Sequence, residues 1–206
     1  MKAKSIYDVH PGIAMAQKWI AELKTKTGRS VEEWVGLLKK EGPKETKARR
    51  DWLKTKHQFG TNSARWLVDH AEGRGGNEDS PEAYLNAAEQ YVEKQYNGPK
   101  EKLRPIYKAL LELGKAQGRD VKACPCQTIV PLYREHVFAQ IKPTTNSRND
   151  FGLALAKYKG KFPKRLIDTG GLAKKDRITR RIELTTTTQI DDEVKQWLKI
   201  AYDLDK

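Results

Sequence analysis

The chain has 206 residues, of which 37% are hydrophobic and 33% charged, and its formal net charge is +13. Five Trp, eight Tyr and four Phe supply bulky core residues, so the composition excludes a disordered chain and indicates one or two small folded domains. No apolar run approaches the roughly 18 to 20 residues that a membrane helix requires, and no export signal follows the first lysines. With only Cys124 and Cys126 as thiols, we expect a reducing, cytoplasmic location and no membrane partner. A protein this basic meets polyanions in that compartment, and nucleic acid is the most abundant of them.

The first part of the chain, residues 1–75, predicts a domain of four short helices. Pro11 suits the first turn of the first helix, and Ser30 with Glu33 forms a capping box that opens the second. A third helix follows, and Thr61 can cap a fourth. Helices this short are not stable alone, so they must pack together around large apolar side chains. The core residues predicted on this ground are Trp19, Trp34, Trp52 and Trp66.

A glycine-rich polar segment over residues 72–81 predicts a linker, with a domain boundary near Gly75 and a second domain over residues 76–206. This domain opens with a helix that begins at Pro81. Pro105 complicates the next helix: either the helix starts late, with the proline in its first turn, or it is kinked there.

Residues 121–184 carry the period-two alternation of β-strands. Val137, Ala139 and Ile141 alternate with their neighbours in this way, and an amphipathic helix over residues 190–202 closes the chain. The predicted fold class is therefore α+β, with an N-terminal all-α small helical bundle and a C-terminal antiparallel sheet flanked by helices. The predicted strands are residues 121–124, 128–133, 137–142, 151–157 and 178–184.

Positive charge is concentrated in and after these strands. Between Lys142 and Arg181 there are twelve basic and three acidic residues, a net charge of +9. If pairing of the strands brings these side chains together, they form a cationic surface suited to phosphates. The residues predicted to contact phosphate are Lys157, Lys159, Lys161, Lys164, Arg165, Lys174, Lys175, Arg177, Arg180 and Arg181.

The third and fourth predicted helices have the length and order of a helix-turn-helix. The fourth would present Thr61, Asn62 and Arg65 near its N-terminus, where side chains reach bases or phosphates. The alternative is an ordinary helical hairpin whose polar residues serve as caps. In the DNA-binding interpretation, Lys47, Arg49, Arg50 and Arg65 form a second basic patch.

Cys124 and Cys126 are the candidates for a metal site. At positions i and i+2 of a strand both thiols point to one face, and His136 follows ten residues later. A zinc site needs three or four protein ligands, and no second pair with ligand spacing is present, so two structural cysteines are the favoured interpretation.

The segment from Thr169 to Lys175 is a candidate phosphate loop. Thr169, Gly170 and Gly171, followed by Lys174 and Lys175, could hold a phosphate through backbone amides and side chains, or could simply form a turn. The sequence contains no nucleophile elbow, zinc-protease motif or Walker motif. We therefore predict no catalytic residues and no cofactor.

Several stretches resemble uncharacterised domains. Residues 5–12, with Trp19 and residues 60–62, resemble a bacterial helical domain of unknown function. Residues 122–128, 136–143 and 176–182, before a final helix that contains tryptophan, are similar to a second uncharacterised domain that often follows the first. More loosely, the strand order is similar to the YdhG-like and frataxin-like folds, one branch of which is described as DNA-binding. The resemblance implies two domains and brings no activity or functional residue.

These observations predict a non-enzymatic protein that binds nucleic acid, mainly through phosphates. One alternative is a small-molecule or phospho-ligand module, with a pocket lined by Trp197, Tyr133 or Phe138. The other is a protein-interaction or homodimeric scaffold, which would expose an apolar patch. The sequence leaves open the oligomeric state and the choice between DNA and RNA.

Overall fold

A computed structural model describes residues 5–77 and 79–206. The lysine-containing start, residues 1–4, and Glu78 of the predicted linker lie outside the described residues. The chain divides into two compact units. The helical unit is Pro11–Asn86, and the sheet unit combines residues 5–10 with the chain from Ala87 onward.

Within the described residues, the helical unit contains the four helices that the sequence predicts and the first residues of a fifth, Pro81–Gln95. The capping box of α2 is present: the Ser30 hydroxyl accepts from the Glu33 amide, and the Glu33 carboxylate accepts from the Ser30 amide. Thr61 is not a cap, because Gly60 occupies the N-cap position of α4 and Thr61 is the first helical residue. The helices are α1 (Pro11–Thr27), α2 (Val31–Glu41), α3 (Thr46–His57) and α4 (Thr61–Ala71).

α4 is the central element of this unit because it packs against both α2 and α3. Its residues Leu67 and Val68 are fully buried. The predicted tryptophan core is confirmed: Trp34 and Trp66 are buried, and Trp19 and Trp52 pack against the same cluster. Trp19 meets Trp66 edge to face, with ring centroids 5.3 Å apart.

Four further helical segments of more than three residues accompany the sheet in the described residues. Ser80 Oγ accepts from the Ala83 amide at the start of α5, as expected for a cap. Pro105 lies in the first turn of α6, so the helix starts late and is not kinked. These segments are α5 (Pro81–Gln95), a 3-10 helix (Gly98–Leu103), α6 (Arg104–Lys115) and α7 (Asp192–Leu204). The residues of α5 from Ala87 onward belong to the sheet unit.

The sheet has six strands in the described residues, all antiparallel, in the order β1-β2-β3-β4-β6-β5. The strand predicted over residues 151–157 starts earlier and ends at Leu153, because the chain turns at Ala156 and Lys157 to leave the sheet. The short β5 was not predicted. The strands are β1 (Lys122–Ala123), β2 (Val130–Tyr133), β3 (Val137–Thr145), β4 (Arg148–Leu153), β5 (Ile167–Asp168) and β6 (Arg180–Leu184).

The two faces of the sheet differ in polarity. Ile141, Phe151 and Ile182 are cross-strand partners, are fully buried and belong to the core. α6 approaches this core closely at Gly114, where a Cβ atom would come within 2.3 Å of Leu132 Cδ1. The alternate residues form a polar face: Lys142, Asp150, Arg181 and Glu183.

Residues 5–10 extend the sheet unit next to β1. The Asp8 amide donates to the Ala123 carbonyl and the Ala123 amide donates to the Asp8 carboxylate, both at 2.9 Å. Tyr7 and Tyr107 join their hydroxyls at 2.9 Å inside the unit. The sequence grouped this segment with the helices, and no local pattern indicates these long-range bonds.

Candidate nucleic-acid interface

A lysine-rich segment, residues 157–165, runs along α7 from one end to the other. At the C-terminal end of α7, Lys157 Nζ donates to the Leu204 carbonyl at 3.2 Å. At the N-terminal end, Arg165 donates to the cap residue Asp191 at 2.6 Å. The segment is therefore fixed at both ends of the helix.

Aromatic residues hold the middle of this segment. Tyr158 and Phe162 pack on Trp197 of α7, with ring centroids 5.1 Å and 5.9 Å from it. Because these two side chains face α7, the lysines between and beside them face solvent. Lys159, Lys161 and Lys164 are exposed and have no ion-pair or hydrogen-bond partner within residues 5–77 and 79–206.

The loop between β5 and β6 adds two more exposed lysines, Lys174 and Lys175. Lys175 adopts a left-handed backbone conformation, with φ of 56°, which is unusual for a residue with a side chain. A cleft of about 220 Å³ is lined by Lys157, Lys175 and Arg177, together with Asp176 and Asp205, and so joins this loop to the segment along α7. We call the following residues the lysine strip: Lys157, Lys159, Lys161, Lys164, Lys174 and Lys175.

The backbone of the same loop does not form the phosphate cradle considered from the sequence. The Gly170 amide donates to the Asp168 carboxylate, and the Gly171 amide donates to the Thr169 hydroxyl. The amides of Lys174 and Lys175 donate to loop carbonyls. Because these four amides are engaged within the loop, they are not free to hold a phosphate, and the lysine side chains are the anion-binding groups that we consider further.

The predicted arginines of this region form ion pairs, and we call Arg165, Arg177, Arg180 and Arg181 the paired arginines. Arg177 donates to Asp205, a buried carboxylate, at 2.6 Å. Arg180 pairs with Asp168 and places its guanidinium 4.3 Å from the centre of the Phe162 ring. Arg165 contacts both Asp191 and Glu193, and Arg181 contacts both Asp150 and Glu183.

Two carboxylates in these pairs, Asp168 and Asp191, have a pKa below the ordinary value. The hydrogen bond from the Gly170 amide, and then that from Arg180, lower the pKa of Asp168. Arg165, and then the Val194 amide, lower the pKa of Asp191. For Arg165, burial opposes the charged form, but its bonds to Asp191 and Glu193 prevail and raise its pKa. These shifts favour the charged forms of Arg165, Asp168 and Asp191, the forms that pair.

In the helical unit, α3 and α4 form the predicted hairpin. Gln58 takes a left-handed conformation between them, and Thr61 and Asn62 are exposed in the first turn of α4. Arg65 is half-buried. In the predicted second patch, Arg49 pairs with Glu72 and Arg50 with Asp69. Reading of DNA by α4 stays a prediction.

The two cysteines lie beside β1. Cys124 is buried, its thiol donates to the Val9 carbonyl at 3.7 Å, and burial raises its pKa to about 12. Burial therefore favours the neutral thiol, as in a structural cysteine. Among the described residues, no group of three or more His, Cys, Asp and Glu side chains is arranged to hold a metal ion.

Two residues proposed for a ligand pocket occupy other surroundings. Phe138 is fully buried in the sheet core, and Trp197 lies under Tyr158 and Phe162. Tyr133 donates to or accepts from His10 Nε2 at 2.9 Å. No pattern in the sequence indicated that Trp197 packs against Tyr158 and Phe162, or that Tyr133 bonds to His10.

The chain is an α+β protein of two units, with a basic surface on the sheet unit. Residues 92–205 match the family described as Domain of unknown function (DUF5655), and the chain belongs to that family. Residues 15–73 match a second such description, Domain of unknown function (DUF4287), so the two-part resemblance is confirmed. No curated protein and no solved structure matches the chain. Among the described residues, no helix is both long enough and apolar enough to cross a membrane.

Proposed function

We propose that this protein binds nucleic acid, without catalysis, through the phosphate contacts of the lysine strip. The observation that carries the proposal is that five of its six lysines are exposed without a partner among the described residues, while Lys157 contacts only a carbonyl. Such ammonium groups are available to replace the counterions of a phosphate backbone. The paired arginines contribute little, because contact with a phosphate would require them to leave a carboxylate.

The carboxylates of α7 do not oppose this role. Each one that borders the strip already has a cationic partner, so none of them is left as an unpaired negative charge next to the lysines. Asp191 and Glu193 pair with Arg165, Asp192 with Lys195, Asp203 with Lys199 and Asp205 with Arg177.

Other parts of the proposal rest on the sequence. The helical hairpin, with Arg65, is a second candidate contact surface. A cytoplasmic location and a bacterial origin belong to the same proposal, as does a likeness of the sheet unit to the YdhG-like and frataxin-like folds. Phosphate contacts do not distinguish one base from another, so we expect the binding affinity to depend weakly on the nucleotide sequence.

The test is the salt dependence of binding to a labelled 20-base-pair DNA duplex and to a labelled 20-nucleotide RNA, measured by fluorescence anisotropy. If about six phosphates are neutralised, affinity should fall by roughly a thousandfold between 50 and 200 mM salt. Failure to bind either probe at 50 mM salt, or an affinity that salt does not change, would overturn the proposal.

A variant with Lys159, Lys161, Lys164 and Lys174 replaced by Gln locates the contacts. Four fewer phosphate contacts should reduce the slope of log affinity against log salt by about 4. The matched control changes the same net charge on the helical unit, at four exposed lysines. These are Lys18, Lys24, Lys39 and Lys40. Equal losses in both variants would mean that net charge, and not the strip, drives binding.

A further inference from the structure

The sheet unit has a second cleft, of about 470 Å³, that contains none of the strip lysines. It lies between the end of α5, the 3-10 helix, the loop before β2 and the hairpin that joins β3 to β4. Its volume falls within the roughly 300–1,000 Å³ typical of small-molecule sites.

The walls of this cleft are cationic. Lys94, Lys100 and Lys142 line it, and no Asp or Glu is among its lining residues in the described part of the chain. Lys100 Nζ donates to the Pro143 carbonyl at 2.7 Å, which fixes its position. Lys94 and Lys142 are exposed, and their ammonium groups have no ion-pair or hydrogen-bond partner among the described residues. Three ammonium groups in a cleft with no lining carboxylate favour an anionic ligand.

Asp150, which contacts a residue of the cleft wall, already has cationic partners. Thr144, which lines the cleft, donates its hydroxyl to Asp150 at 2.8 Å. Asp150 in turn pairs with Arg148 and Arg181, so its charge does not cancel the lysines.

The remaining walls are hydrogen-bonding groups and not aromatic rings. Asn97, Thr128 and Asn146 line the cleft with amide and hydroxyl groups. Gln95 is only 7% exposed, and its Nε2 donates to the Cys126 carbonyl at 2.7 Å. Its Oε1 is a buried acceptor without a donor in the described residues. Buried acceptors normally receive a hydrogen bond, and a hydroxyl group could provide it.

From this geometry we propose that the cleft binds a small sugar phosphate. Lys94 and Lys142 contact the phosphate, with Lys100 beside them. The sugar hydroxyls bond to the amide and hydroxyl side chains of the wall. A nucleotide fits less well, because no Phe, Tyr or Trp lines the cleft in the described residues to stack on a base.

The test is isothermal titration calorimetry of the full chain with ribose 5-phosphate, glucose 6-phosphate and glycerol 3-phosphate, with ribose and inorganic phosphate as references. We expect at least one of the three esters to bind about tenfold more tightly than either reference, because only an ester engages both the lysines and the hydrogen-bonding wall. An affinity for inorganic phosphate equal to that for the esters, or no binding of any ester, would overturn the proposal.

The variant K142Q removes one ammonium group from the rim of the cleft. It should weaken ester binding by about tenfold, as expected for the loss of one charge-assisted contact. The control K108Q changes an exposed lysine of α6 outside the cleft and should bind as the native chain does. Unchanged binding in K142Q, or an equal loss in both variants, would contradict the assignment. The strip variant should retain ester binding, so this proposal and the nucleic-acid proposal can fail separately.

Discussion

The lysine strip and the paired arginines lie close together in the sequence and carry similar charge, but they differ in what they contact. The strip lysines face solvent, whereas the four arginines each bind one or two carboxylates. Arginine presents a planar fork that matches a carboxylate, while lysine is a hydrated point charge on a flexible chain. The net charge of a segment therefore overestimates the charge available to a ligand.

The largest expected effect comes from breaking the arginine network on the polar face of the sheet. Asp150 is nearly buried and pairs with Arg148 and Arg181. Its contact with Arg148 Nε is 2.9 Å but is not aligned as a hydrogen bond. The variant D150A leaves two neighbouring guanidinium groups without this carboxylate, and should destabilise the protein by about 3 kcal/mol in urea unfolding. A loss below about 0.5 kcal/mol would show that these arginines are not structural.

An intermediate effect is expected at Arg180, which bonds Asp168 and covers Phe162. Replacement by Ala removes an ion pair, a cation–π contact and apolar cover, and should cost about 1 to 2 kcal/mol in urea unfolding. Arg180→Lys keeps the charge and should recover part of the loss. If the Lys and Ala variants lose the same unfolding free energy, the stabilisation comes from the planar guanidinium and not from the positive charge alone.

A smaller effect concerns pH. Because Arg165 lowers the pKa of Asp191, the stabilising contribution of this carboxylate is present above its unfolded pKa of about 3.9 and is lost as pH falls through the lower folded value. The variant R165Q should raise the Asp191 pKa towards its ordinary value, as followed by NMR titration of its carboxyl carbon. An unchanged midpoint would mean that the Val194 amide alone holds the pKa down.

The smallest effect on stability is expected for the lysine strip, although its replacement should have the largest effect on nucleic-acid binding. The side chains of Lys159, Lys161, Lys164 and Lys174 have no ion-pair or hydrogen-bond partner within the described residues, so their joint replacement by Gln should change unfolding free energy by less than about 0.5 kcal/mol. Urea unfolding of the strip variant measures this. A loss of several kcal/mol would show that the lysines have structural partners and would remove the contrast with the arginines.

Local patterns in the sequence predicted much of the fold. The Ser30 capping box, the tryptophan core and the period-two strands are local signals, and each element exists. The position of Pro105 needed the structure, because a late start and a kink leave the same local pattern. The bonds of Asp8 to Ala123 and the pairing of Arg177 with Asp205 join residues distant in the chain, and no spacing rule indicates them.

The sequence predicted which residues of the candidate site are basic. It did not predict which of them pair with carboxylates and which face solvent. The alternation of Tyr158 and Phe162 with lysines contained a usable signal, since aromatic residues within a charged segment indicate which side faces the core. The cleft around Lys94, Lys100 and Lys142 had no such signal, because its three lysines come from three separate elements.

The most direct test of the central claim is lysine acetylation of the native chain with and without the DNA duplex, quantified by mass spectrometry. Acetylation requires an accessible ammonium group, so bound phosphates should protect the lysines that they contact. We predict protection of the lysine strip, with Lys108 and the control lysines Lys18, Lys24, Lys39 and Lys40 reacting as in the free protein. Equal protection of all lysines, or protection confined to the helical unit, would contradict the claim that the strip binds nucleic acid.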